Sequence, residues 1–320
     1  MPLRLVLMGT GAFALPVFRA LHDSRHAVTG LFTQPDRTGR GHHRHVNPLK
    51  ELALERGTPV FQPESVNAPD AVELLRDLQA DLGVVAAYGQ VLKPAVIDAP
   101  RLGCINVHAS LLPRHRGAAP VLYAVLNGDA ETGVTIFQIE PKLDAGLMYG
   151  SVKTVIGPKE TTGDLQERLA ELAVPLTLRI IDDLEAGAAR PIPQDPQQVT
   201  RAPSLQKSAG LIDWSNSAQQ IANHVRAMQP WPTPFTFLEQ QGRMPLRVIL
   251  IDVQPCDIPT PATAATPGAL LIAERDRLVV QTGAGGLEIL KLRPEGKREM
   301  TAAEFQNGHA LHPGDRFVAG

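Results

Sequence analysis

The sequence predicts an α/β domain built on a doubly wound, mostly parallel sheet, followed by a small β-barrel. Three observations carry this. The first half alternates fully apolar, strand-length runs with helical patterns. Residues 188–203 then hold Pro191, Pro193, Pro196 and Pro203 with few apolar residues. Beyond them come short, closely spaced strands separated by turn signals. Apolar strands between helices need a parallel sheet covered on both faces. A Pro-rich stretch reads as a linker, and clustered short strands with one or two helices fit a barrel. The expected division is a first domain over 1–187, a linker over 188–204 and a second domain over 205–320.

The elements follow in order. Residues 3–8 form an apolar run ending at Gly9, 14–22 have a helical pattern, and 27–33 are a second apolar run. Asn47 and Pro48 supply an N-cap and a first-turn proline for a helix that Gly57 stops. A further helix is expected within 70–79. Strands are expected at 82–87, 102–108 and 133–138, and a long helix within 161–186. In the second domain, a helix is expected over 217–228, with strands at 235–239, 246–253, 269–273, 278–281 and 287–292. The Pro-, Thr- and Ala-rich residues 255–267 read as a mobile loop.

Composition narrows the class. The 320 residues carry 31 Lys+Arg against 33 Asp+Glu, which excludes a histone-like polycation, and 43% hydrophobic residues exclude a wholly disordered chain. No run approaches the ~20 apolar residues of a membrane span, and the apolar N-terminal stretch is too short for a signal peptide. Two cysteines, Cys104 and Cys256, cannot make a disulfide framework. A cytoplasmic protein fits these features.

Gly9-Thr-Gly11-Ala-Phe-Ala14 matches the dinucleotide fingerprint, with Asp36 near the expected acidic position. Asp36 follows Pro35 in a loop, however, so a tight turn lining a cleft is the favoured reading. The informative segment is residues 102–113. On a strand, Cys104, Asn106 and His108 share one face, at the carboxyl end where open α/β sheets bind ligands. An amide and an imidazole there can hold a developing oxyanion; equally, Asn106 caps a turn and His108 packs under the loop. Cys104 is no nucleophile for His108, because four strand residues span roughly 13 Å. Arg114 and Arg116, before a run of small residues, fit a phosphate or carboxylate, or a solvated turn. Asp144, if it reaches His108, orients the imidazole and favours its protonated form; alone, it reads as a turn residue.

Residues 110–120, SLLPRHRGAAP, with Asn106, His108 and Asp144, resemble the 10-formyltetrahydrofolate-dependent formyltransferases. Thr33-Gln-Pro-Asp-Arg37 with Gly39-Arg-Gly41, residues 128–135, Ile212-Asp-Trp-Ser215, the Pro-Trp-Pro within 223–232, and 294–300 extend the likeness over nearly the whole chain. The resemblance implies a Rossmann-like formyltransferase domain followed by an OB-like, tRNA-binding domain. It implies that the formyl group of 10-formyltetrahydrofolate, a co-substrate, passes without a metal to the α-amine of methionine carried by initiator tRNA. Asn106 and His108 would stabilise the oxyanion, and Asp144 would orient His108 and manage the amine proton. Ser110, Leu111, Leu112 and Pro113 would line the folate pocket, with Tyr88, Gly89 and Leu92 at its pterin end. A soluble monomer is expected. The chain departs from the family in a shortened first loop bearing His42, His43 and His45, in His115, and in Leu147 after Asp144-Ala-Gly.

The loop at 37–45 carries three arginines, three histidines and no acid. Arg37, Arg40 and Arg44 therefore read as an arm for tRNA, ahead of a bare solvated loop or a metal site. Residues 205–320 carry equal numbers of basic and acidic residues, so tRNA contact there needs a local face, with Lys291, Arg293, Lys297 and Arg298 as its cations. Rival functions are formyl transfer to a small amine, release of formate by water, an inactive RNA-binding protein, and an NAD-dependent dehydrogenase.

Overall fold

The computed structural model describes residues 1–36, 47–257, 266–274, 276–312 and 314–319. The chain divides into two compact units. Unit 1 holds Met1–Val121, Glu131–Val155 and Asp164–Ser204; unit 2 holds Leu122–Ala130, Ile156–Gly163 and Leu205–Gly320.

Unit 1 is built in the order β1 (Arg4–Gly9), α1 (Leu15–His22), β2 (Ala27–Phe32), α2 (Pro48–Glu55), β3 (Val60–Phe61), α3 (Pro69–Asp77), β4 (Leu82–Ala86), α4 (Pro94–Ile97) and β5 (Cys104–His108). Then come α5 (Pro120–Leu126), which counts with unit 2 from Leu122 on, β6 (Glu131–Gln138), β7 (Met148–Val155) and α6 (Thr162–Glu185), which belongs to unit 1 from Asp164 on. Its sheet has the order β3-β2-β1-β4-β5-β6-β7. The pairings from β3 to β5 are parallel, and β6 and β7 each run antiparallel to their predecessor. The reversal follows from the connection. The chain leaves β5 at His108 and re-enters β6 at the same edge, with His108 opposite Thr135, instead of crossing back over a face. β1 and β4 are buried along nearly their whole length, which is why they read as continuous apolar runs. The capping residues also act as expected: the Asn47 side chain accepts from the N–H groups of Leu49 and Lys50 at the start of α2.

The Pro-rich residues 188–204 are expected as a linker, but they belong to unit 1, with one 3-10 turn at Pro196–Gln198. Met148 and Ile192 exchange hydrogen bonds of 2.8 and 2.9 Å, the Arg116 N–H donates to the Thr200 carbonyl at 2.9 Å, and the Ala202 N–H donates to the Arg116 carbonyl at 2.8 Å. Proline removes donors but leaves every carbonyl, so such a segment pairs along one edge.

Unit 2 contains α7 (Ala218–Ala227), β8 (Phe235–Glu239), β9 (Leu246–Cys256), β10 (Leu270–Glu274), β11 (Arg277–Gln281), β12 (Gly286–Pro294), β13 (Met300–Thr301), α8 (Ala302–Gly308) and β14 (Arg316–Val318). Its antiparallel sheet has the order β10-β11-β12-β9-β8-β14, with β13 on β12. A bridge between Ala269 and Arg316 joins the two ends, and the Phe317 N–H donates to the Gly268 carbonyl at 2.8 Å. The sheet thus curls into the OB-like barrel. Its interior packs Trp214 against Phe317, with the indole N–H donating to Thr236 Oγ1 at 2.9 Å. Ser217 and Gln220 form a capping box on α7. α8, β3, β13 and β14 are too short to stand out in a periodic pattern. Residues 258–265 of the expected loop lie outside the described residues.

Cys104 is a packing residue of this sheet. A Cβ on Gly83, its neighbour on β4, would lie 2.5 Å from the Cys104 sulfur, so the glycine leaves the space that the thiol fills. Gly83→Ala is expected to cost about 1–3 kcal/mol of stability in urea unfolding. Adding Cys104→Ala should recover part of that loss; strictly additive losses would show that the two positions are not coupled.

Candidate active site

β5 carries Asn106 and His108 to its carboxyl end on one face, as alternation requires. Asn106 is half-buried and His108 is buried. The His108 Nε2 lies 3.1 Å from the His115 carbonyl. A carbonyl only accepts, so Nε2 carries the proton and, in the neutral ring, Nδ1 presents a lone pair. His115 sits at φ +58, and its N–H donates to Thr200 Oγ1 at 2.8 Å. The Phe137 ring stands edge-on to the imidazole at 6.1 Å.

Asp144, at φ +48, accepts the Gly117 N–H at 2.8 Å through Oδ2. It acts on His108 through its charge, while the bond that orients the ring comes from the His115 carbonyl. Asp144 pulls the His108 pKa upward, the direction expected of a carboxylate near the ring. Burial pushes the His108 pKa down and outweighs the upward pull of Asp144 and of the His115 carbonyl; the His115 ring also lowers it. Sequence order cannot report burial depth, and depth decides the sign.

The loop after β5 is held from several sides. The Ser110 hydroxyl donates to the Arg114 carbonyl at 2.7 Å, and Thr135 Oγ1 donates to the Ser110 carbonyl at 2.7 Å while accepting the Leu112 N–H at 3.1 Å. Ser110, Leu112 and Pro113 are buried and Leu111 is half-buried. A Cβ on Gly117, at φ +130, would lie 2.4 Å from the Ala202 carbonyl oxygen, so only glycine fits there. Arg116, 8% exposed, donates Nε and Nη2 to Gln194 Oε1 at 3.1 and 2.7 Å. The Gln194 amide in turn donates to the carbonyls of Asp144 and Gly146, both at 2.9 Å. Gln194, Thr200 and Thr135 escape sequence reasoning: each is a neutral polar residue, and the first two stand among prolines in the presumed linker.

Tyr88, Gly89 and Leu92 follow β4 out of the same sheet edge. Tyr88 and Leu92 join the apolar cluster of Val85, Val96 and Ile97, and Gly89 takes φ +78. The Tyr88 carbonyl accepts from Thr10 Oγ1 and Gln34 Nε2 at 3.3 and 3.1 Å. Its buried hydroxyl has no hydrogen-bond partner among the described residues, and burial pushes its pKa up to about 12. The first glycine of the fingerprint is accounted for by packing, since a Cβ on Gly9 would lie 2.7 Å from the Ala86 carbonyl oxygen. Asp36 is engaged by Lys50 and by Gln62, the latter at 2.9 Å. The Cys104 thiol is buried against the Val96 and Ile97 carbonyls, and its pKa is pushed up to about 12, as for an inert thiol.

Arg37, Arg40 and Arg44, with His42, His43 and His45, lie outside the described residues. Lys297 and Arg298 are exposed, and Arg298 pairs with Glu304 at 2.7 Å. Among the described residues, only His26, Asp182 and Glu185 cluster as metal ligands would. Arg25 already pairs with both acids, and the terminal amine of Met1 lies 3.1 Å from Glu185, so the cluster is a set of ion pairs.

Residues 3–181 match the formyl transferase family and residues 204–310 match the formyl transferase C-terminal domain. The chain belongs to the formyltransferase family. Methionyl-tRNA formyltransferase of Methylococcus capsulatus is 43% identical over 310 residues, covering 97% of this chain and 98% of that one. The enzyme of the same name from Hydrogenovibrio crunogenus is 42% identical over 311 residues, covering 97% of both. Among solved structures, the sugar 3N-formyltransferase WlaRD shares the formyltransferase fold at TM-score 0.65 and 14% identity, covering 93% of this chain and 100% of that one. Aquifex aeolicus HypX with tetrahydrofolic acid does so at TM-score 0.60 and 16% identity, covering 95% of this chain and 46% of that one.

His108 is therefore expected to be neutral at pH 7. Its folded pKa lies below the ordinary value of about 6.5, so its share of stability is full above that value. That share is lost as pH falls through the folded pKa. Asp144→Asn removes the opposing charge and should lower the pKa further in an NMR titration. An unchanged value would show that the carboxylate does not act on the ring.

Proposed function

We propose that this formyltransferase moves the formyl group of 10-formyltetrahydrofolate to the α-amine of methionyl-tRNA, giving N-formylmethionyl-tRNA. The observation that carries the reading is the full-length likeness to two enzymes of that name, joined to an amide and a buried imidazole on one strand end. The amine nitrogen attacks the formyl carbon, and the carbonyl oxygen becomes an oxyanion. The Asn106 amide donates to that oxygen. His108, with Nε2–H committed to the His115 carbonyl, takes the amine proton at Nδ1. The imidazolium so formed is stabilised by Asp144 and donates from Nδ1. The bond from carbon to folate N10 then breaks, N10 takes up the proton, and tetrahydrofolate leaves. Charge stabilisation and positioning suffice for these steps.

Ser110, Leu111, Leu112 and Pro113 line the folate side in this reading, with Tyr88, Gly89 and Leu92 beyond them. Arg37, Arg40 and Arg44 contact charged initiator tRNA, and Lys297 and Arg298 contribute from the barrel. The ion pair to Glu304 makes Arg298 the weaker contributor. The enzyme acts as a monomer. Among the described residues, no helix is long and apolar enough to cross a membrane.

Asn106→Ala should fold normally by circular dichroism and lose about 10²–10³ in turnover. Near-wild-type turnover would remove Asn106 from the mechanism. The assay offers charged initiator tRNA, charged elongator tRNA and glycinamide ribonucleotide in parallel, and preference for the ribonucleotide would overturn the acceptor. Arg40→Ala should lower formylation of initiator tRNA while sparing folate binding. Normal formylation by that variant across a range of salt concentrations would exclude a recognition role for the arm.

A further inference from the structure

Two opposite charges flank the catalytic strand without meeting. Arg116 is nearly buried, and a buried guanidinium ordinarily pairs with a carboxylate. The acids whose charges act on it are Asp144 and Glu140, while Arg201 opposes them. Its hydrogen bonds nonetheless go to a neutral oxygen, Gln194 Oε1. Asp144, for its part, gives Oδ2 to the backbone N–H of Gly117. The residue between them is Gln194. Its oxygen takes two guanidinium N–H groups, and its nitrogen donates to the carbonyls of Asp144 and Gly146. Every hydrogen-bonding position of this amide nitrogen and both lone pairs of its oxygen are used.

The loop it grips has little freedom. A Cβ on Gly146 would lie 1.8 Å from the Gln138 carbonyl oxygen, so the loop rests directly on β6, and Asp144 takes a left-handed conformation. Gln194 thus fixes the backbone from which the carboxylate projects and occupies the guanidinium that would capture it. We propose that Gln194 is a positioning residue that holds Arg116 and Asp144 apart, so that the carboxylate stays unneutralised and acts on His108.

Its catalytic consequence rests on the formyl-transfer reading; its electrostatic content does not. The groups facing His108 are Asp144, the His115 ring and the His115 carbonyl. Of these, only Asp144 changes partners when Gln194 is lost. Without the amide, Arg116 turns to Asp144, the carboxylate's pull on the imidazole weakens, and His108 becomes a poorer base.

The test uses the full-length enzyme with labelled histidine, reading the His108 titration by NMR alongside kcat and KM across pH. Gln194→Ala should lower the His108 pKa by about one unit, toward the value in Asp144→Asn. kcat should fall about tenfold, with the acidic limb of its pH profile displaced downward. KM for the folate should stay within about twofold. Adding Arg116→Met, which removes the competing cation, should restore most of the titration shift. Arg116→Met alone, which removes the cation and leaves Gln194 on the loop, should not lower the pKa; a fall there would overturn the proposal, and this variant serves if the alanine variant does not fold. An unshifted His108 in folded Gln194→Ala, or a shift that Arg116→Met leaves in place, overturns the proposal. The expected shifts in an enzyme that formylates no charged tRNA would support the positioning role and remove the functional reading instead.

Discussion

The candidate site depends on one carbonyl. The His115 oxygen takes the Nε2 proton of the buried His108 imidazole. That bond fixes the tautomer, leaves the lone pair on Nδ1, and offsets part of the cost of burial. The carbonyl points there because His115 adopts a left-handed conformation. That conformation persists because the Thr200 hydroxyl holds the residue's own N–H and the Ala202 backbone brackets Arg116. A chemical property of one side chain is thereby set by residues more than eighty positions away.

Much of this was legible in the sequence, for identifiable reasons. β1, β4 and β5 are buried on both faces, so each reads as an apolar run of strand length. Asn106 and His108 stand out because two polar groups interrupt such a run at its carboxyl end. The family likeness, carried by residues 110–120 and their partners, supplied the reaction. What was hidden depends on distance in space. β7 is an edge strand with alternating exposure, and its antiparallel course follows from where the chain re-enters the sheet. Gln194 has no chemistry of its own to advertise. The direction of the His108 shift reflects a balance between burial and charge, and sequence shows only the charge.

Packing and chemistry share the same atoms here. Gly9, Gly83 and Gly117 each mark a place where a neighbour fills the volume that a side chain would take. Gly9 therefore satisfies a nucleotide-binding pattern through close packing alone. The barrel uses the same device at Gly268, whose missing side chain admits the Phe317 carbonyl as the ring of strands closes.

The Pro-rich run that ends unit 1 has a practical bearing on how this chain can be divided. A cut placed after Gly187, where composition invites it, would leave every strand from β1 to β7 intact yet strip away Gln194, Thr200 and Ala202. The proteolytic fragment or chimera so made would keep its sheet and lose the shape of its reactive loop. A protease that cuts at the exposed Ile192 would sever Gln194 and Thr200 from the helix before them without touching β5.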